Sequence, residues 1–137
     1  MTSVAPDLQE ALRRLALNDE QFVASILARY SGVGPKDDSD PYEAALDDRT
    51  RRLVDLAALI SVGSGPTGLD AAVTAAFGAG ASPDDVVEVL LSIAPAVGSA
   101  RVVSSAPLIA SAIGYDMEAD FEELRTRPFE EDRPPGD

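Results

Sequence analysis

The sequence predicts an all-α fold: a single domain of about six helices that assembles into an oligomer. Three observations carry this. Apolar residues recur at helical spacing, between capping and breaking residues, along most of the 137-residue chain. No pair of alternating apolar segments flanks a hairpin turn, so no sheet is expected. Hydrophobic residues make up 45% of the chain but aromatics only 5%, with no Trp, so the core has to be built from Ala, Val, Leu and Ile. Such side chains let helices approach closely but each buries little area. A second copy is the natural source of the missing burial.

The elements follow in order. Leu8, Leu12 and Leu15 fall on one face of a helix from Pro6 to Leu17. Asn18 is a candidate N-cap for a second helix, Asp19 to Arg29, with Phe22, Val23, Ile26 and Leu27 as its apolar face. Ser31 to Pro41 reads as a loop from its Gly, Pro and Asp content. A third helix is expected from Asp47 or Asp48 to about Val62, with Leu53, Val54, Leu56, Ala57 and Ile60 inward. Gly63 to Gly68 reads as a break, and a fourth, Ala-rich helix as running from Leu69 to Ala79. Ser82, Pro83, Asp84 and Asp85 combine a cap, a first-turn proline and two acids on the helix dipole, starting a fifth helix. Pro95 and Gly98 end or bend it, and a sixth reaches Ile113, kinked at Pro107. One further helical turn fits around Phe121 to Arg125, and Arg127 to Asp137 reads as disordered. The organisation is therefore a helical pair over 1–31, a loop over 32–46, a helical core over 47–116 and an acidic, largely disordered tail over 117–137.

Composition removes whole classes of function. The net charge of −13 opposes binding to nucleic acid or to an anionic membrane surface. From Val86 to Gly114 only Glu88 and Arg101 are charged, but prolines, glycines and serines interrupt the run, which fits buried helices better than a membrane span. The chain has no Cys and no His. Disulfide and thiol chemistry, thiolate or imidazole metal sites and the usual near-neutral general base are all excluded. Asp37, Asp38, Asp40 and Glu43 lack the spacing and central glycine of a calcium loop. No cofactor and no metal is expected. The N-terminal residues show no basic segment followed by an apolar run, so a cytoplasmic setting is the expectation.

Three pieces between Leu46 and Gly98 carry a family resemblance. They are LDDRTRRLV from Leu46, AAFGAGASPDDVVEVLL from Ala75, and Ala-Val-Gly at 96–98. In this order and at this spacing they resemble the carboxymuconolactone decarboxylase family, which includes the alkylhydroperoxidase D-like proteins. The resemblance implies packed antiparallel helices assembled as a homo-trimer or homo-hexamer. Redox members of that family carry a Cys-x-x-Cys-x-x-x-His motif at the helix after the first break. Anchored on the upstream helix, the cysteine places fall on Ser64 and Thr67; anchored on Gly80, on Gly65 and Gly68. The histidine place falls on Ala71 or Ala72, and the preceding acidic place on Arg52. Neither serine nor glycine can cycle with a disulfide, so thiol peroxidase chemistry is excluded. The decarboxylase branch also uses a histidine around this helix.

The remaining polar residues each have two readings. Ser64 and Thr67 precede or open a helix, where they either bind a ligand through the helix N-terminus or merely cap the turn. Asp70 is either a site base or a complement to the helix dipole. Arg101, the only basic residue between Arg52 and Arg125, is either a clamp for a substrate carboxylate or a structural group at an interface or helix start. If buried it needs a partner, with Asp55, Asp70 and Glu88 as candidates. Ser104 and Ser105 lack a base to make them nucleophiles. Tyr30, Tyr42 and Tyr115 offer acids without a spacing that selects one.

Two functional classes follow. In the first, the chain is a non-redox family member acting as an oligomeric scaffold or small-molecule-binding subunit, its ligand small and acidic or apolar. In the second, it is a cofactor-free lyase or isomerase, with Arg101 holding a small apolar carboxylic acid and Asp70 or a tyrosine moving the proton. A third reading makes the acidic tail a partner-binding element.

Overall fold

The computed structural model describes residues 3–30, 45–115 and 117–127, and these are helical with no strand among them. The chain divides into two compact units, Met1–Ala45 and Leu46–Asp137. The expected loop over Ser31 to Pro41 and the tail beyond Arg127 lie outside the described residues.

The first unit holds α1 (Pro6–Ala16) and α2 (Glu20–Tyr30). Asn18 does not cap α2. It takes a left-handed backbone, φ 53°, just past the end of α1, a conformation Asn tolerates better than most residues. The cap falls one residue later: the Asp19 carboxylate accepts a hydrogen bond from the Phe22 amide at 3.1 Å. The Arg14 side chain then ties the two helices together. It donates to Asp19 at 2.8 Å and lies over the Phe22 ring at 4.6 Å.

The second unit holds α3 (Asp48–Val62), α4 (Pro66–Gly78), α5 (Pro83–Val97), α6 (Ser99–Ile113) and α7 (Met117–Thr126). Asp47 caps α3 by accepting from the Thr50 amide. At the other end of α3, Gly63 turns left-handed at φ 78°, so the amides of Gly63 and Ser64 reach back to the carbonyls of Ile60 and Leu59. The break is short. Pro66, Thr67 and Gly68, read from sequence as loop, already form the first turn of α4, because proline needs no amide partner there. Ser82 and Asp85 form a reciprocal capping box at the start of α5. Pro95 is absorbed in the last turn of α5, and Gly98 separates α5 from α6. Pro107 lies within a continuous α6. In the tail, the single turn foreseen around Phe121 is the longer α7, so the segment 117–126 is helical and seven helices are described where about six were expected.

The core of this unit consists of Leu56 and Ile60 from α3, Leu69 and Val73 from α4, Val86 and Leu90 from α5, and Ile109 from α6. Each such side chain contributes about 1.5–3 kcal/mol by leaving water. Val54, expected inward, is instead exposed, because it sits on the opposite edge of α3 from Leu56 and Ile60.

The two capped helix starts are also joined electrostatically. Arg49 of α3 reaches Asp85 of α5 at 2.6 Å. The Ser82 amide, followed by the Arg49 guanidinium, holds the Asp85 carboxyl below its ordinary value of 3.8. A depressed folded-state value stabilises the fold above the unfolded value, and that contribution is lost as pH falls through the folded one. Asp85→Asn is therefore expected to lower the melting temperature at neutral pH. The gap to the unsubstituted chain should close on acidification below about pH 4. Thermal melts across a pH series check this, and a gap that persists unchanged into acid contradicts it.

Candidate functional site

An open cleft of about 290 Å³ lies where the start of α4 meets the second half of α6. Pro66, Thr67 and Asp70 line it from α4, and Leu108, Ser111 and Ala112 from α6. On each helix these positions share one face. The size is at the small end of ligand-binding cavities. Its chemistry is one carboxylate, two hydroxyls and three apolar surfaces. Asp70 is the only ionisable side chain in the lining, and it is solvent-exposed. No cation neutralises the wall from within the cleft.

The backbone at the cleft edge is only partly satisfied by the protein itself. Gly65 occupies the cap position of α4 and has no side chain to offer its amides. Pro66 has no amide, so the Thr67 and Gly68 N–H groups are the donors left at this helix start. The Ser64 hydroxyl lies over Gly68, in space that a Cβ there would need.

Of the four residues singled out from sequence, the structure brings Thr67 and Asp70 into this cleft. Ser64 sits at its margin against Gly68 and is half-buried. Arg101 is elsewhere. It is exposed, and its guanidinium packs against Gly63 at the C-terminal end of α3, in the place a Cβ would occupy. Leu108 is seven residues further along α6, about 10 Å at 1.5 Å per residue. Among the described residues no ion pair joins Arg101 to Asp55, Asp70 or Glu88, and Asp55 faces Arg52 at 3.9 Å. A guanidinium beside the last turn of a helix is favoured by the helix dipole, which is sufficient reason for its position.

The α6 side of the cleft went unread in the sequence. Leu108, Ser111 and Ala112 carry a helical i, i+3, i+4 spacing, but that spacing does not say which face of α6 meets α4. The packing of Ile109 into the core decides it.

Residues 36–111, more than half of the chain, match the model of the carboxymuconolactone decarboxylase family. The chain belongs to that family. The match takes in α3, α4, α5 and most of α6, and it leaves α1, α2 and α7 outside. No curated protein and no solved structure matches the chain. Set on this member of the family, the places at which the resemblance puts the cysteines fall at the start of α4 under either anchoring. Ala71 is exposed and Ala72 packs against the core, so neither histidine place holds a polar group. Among the described residues, no cluster of acidic side chains is arranged to hold a metal. No described helix is long and apolar enough to cross a membrane.

The positions of Gly63 and Arg101 give a direct test. Gly63→Ala places a Cβ on a left-handed backbone and should cost about 1–2 kcal/mol. Arg101→Ala removes an exposed side chain without an ion-pair partner among the described residues and should stay within about 0.5 kcal/mol of the parent. Urea unfolding of the two variants measures both. A larger loss for Arg101→Ala than for Gly63→Ala would mean that the guanidinium holds the turn.

Proposed function

We propose that this chain is a non-redox member of its family: an oligomeric, cytoplasmic scaffold or small-molecule-binding subunit whose ligand enters the α4–α6 cleft. The observation that carries this is the filling of the space between α3, α4 and α6. Leu56, Ile60, Leu69, Val73 and Ile109 fill it with apolar side chains, Ser105 of α6 is the one buried polar residue among those described, and Thr67, Asp70 and Ser111 stand in the open cleft. Apolar packing of this kind supports a binding role at the surface over a buried reaction chamber between these three helices. The chain has no Cys or His anywhere, which removes the thiol and imidazole that the family resemblance would put to work.

Thr67 and Ser64 are the proposed ligand-binding residues, supported by the uncapped start of α4 beside them. The Asp70 wall favours a small neutral or cationic molecule over the acid considered from sequence, since an anion would meet an uncompensated carboxylate. The proposed partner is the chain itself, as a homo-trimer or homo-hexamer. Exposed apolar residues of the second unit, such as Val62, Leu91 and Val103, support this.

The lyase or isomerase reading keeps one supporting observation: Asp70 is in the cleft, where a base would be needed. Arg101, the clamp of that reading, does not line the cleft and lies against Gly63 beside its margin, which gives this reading less support.

Turnover assays on the intact chain separate the two readings. With an organic hydroperoxide and with a lactone acid as substrates, the rates should equal the buffer blank. Measurable turnover of the lactone acid, abolished by Asp70→Asn, would replace the scaffold reading with the lyase one.

A further inference from the structure

Several acids and hydroxyls of this chain have a structural task. Asp47 accepts from the Thr50 amide at the start of α3. Asp85 accepts from the Ser82 amide at the start of α5 and also meets Arg49. Asp19 accepts from the Phe22 amide and pairs with Arg14. Asp70 does none of this. Pro66 is the first residue of α4, so Asp70 stands past the first turn, where the helix amides are already bonded and the dipole has faded. Among the described residues, no hydrogen bond or ion pair engages its carboxylate. The hydroxyls divide in the same way. Ser61 and Ser104 turn back onto carbonyls of their own helices, those of Ala57 at 2.7 Å and Arg101 at 3.1 Å. The Thr67 and Ser111 hydroxyls make no hydrogen bond among the described residues.

These three unengaged groups line one cleft. Thr67 and Asp70 stand on its α4 wall and Ser111 on its α6 wall, and each can accept a hydrogen bond. Pro66, Leu108 and Ala112 supply the apolar remainder. Asp70 brings a full negative charge, which exceeds the roughly half charge of opposite sign at the start of α4. The net charge of −13 has the same sign as Asp70, so the chain draws cations and repels anions. The lining then decides which cation. A primary ammonium carries three N–H donors, one for each acceptor. A quaternary ammonium has no donor and is held by aromatic faces, and the lining has no aromatic residue. A hard metal ion asks for more oxygens than one carboxylate and two hydroxyls, and no cluster among the described residues supplies them.

We propose that the α4–α6 cleft takes a small primary amine with a short apolar body. Asp70, Thr67 and Ser111 hold its ammonium group, and Pro66, Leu108 and Ala112 meet its hydrocarbon. This rests on the reading of the cleft as the ligand site, and it narrows the ligand to one chemical class. It also gives Ser111 a role that the sequence did not suggest.

Titrations of the full chain at neutral pH, followed by amide and methyl NMR, test it. The probes are cyclohexylamine, which is charged at that pH, its neutral counterpart cyclohexanol, and N,N,N-trimethylcyclohexylammonium. Cyclohexylamine should give saturating shifts at Thr67, Leu108, Ser111 and Ala112. Its affinity should exceed that of cyclohexanol by about five-fold at low salt, a preference that high salt erodes. The trimethyl form, without N–H donors, should bind more weakly than the amine. Asp70→Asn should bring cyclohexylamine down to the affinity of cyclohexanol and leave cyclohexanol unchanged. Ser111→Ala should weaken the amine and spare the trimethyl form. Cyclohexanol held in the cleft as tightly as the amine overturns the amine assignment and leaves the cleft as a ligand site. So does equal affinity for the trimethyl form, or an amine affinity unmoved by Asp70→Asn. Saturating shifts at other residues, or none with any of the three probes, overturn the amine assignment and the ligand-site reading together.

Discussion

The rest of the second unit depends on how α3 is joined to α4. Gly63 takes the left-handed turn, Ser64 and Gly65 complete it, and Pro66 opens the next helix without needing an amide partner. So short a connection forces Leu56 and Ile60 against Leu69 and Val73. Ile109 of α6 closes the third side of this apolar group. A core of medium-sized aliphatic side chains tolerates few voids, so the interior is spent on stability. The proposed ligand site therefore lies outside this core, where the first turn of α4 meets α6.

That division explains the character of the cleft. Its donors come from an uncapped helix start, and its carboxylate from the next turn of the same helix. They offer hydrogen bonds and one negative charge. The chemistry of thiolate or imidazole needs residues that the chain lacks altogether.

The helical elements were readable because their ends carry strong local signals. Ser82–Asp85 and Asp47 are caps in the structure because a short acceptor three residues before an amide serves only there. Asn18 misled because Asn serves two roles, cap and left-handed residue, and Asp19 beside it was the better cap. The start of α4 was placed late because glycine and proline mark turns in most contexts, and only the turn geometry shows Pro66 to be the first helical residue. In the site, Thr67 and Asp70 were legible from their place on the chain. Ser111 and Leu108 were not, since they depend on which face of α6 packs inward. Arg101 is a lone charge among apolar residues in the sequence, but flanking composition does not fix burial, and the structure leaves it at the exposed start of α6 beside Gly63.

The central claim is that ligand access stops at the cleft and the space between α3, α4 and α6 is closed. Methyl-detected NMR on the intact chain, titrated with small neutral and amine-bearing fragments, addresses it most directly. Shifts confined to Thr67, Leu108 and Ala112 are the predicted result. Shifts at Leu56, Ile60, Val73 and Ile109 that saturate together would show a ligand inside the core, and would contradict it.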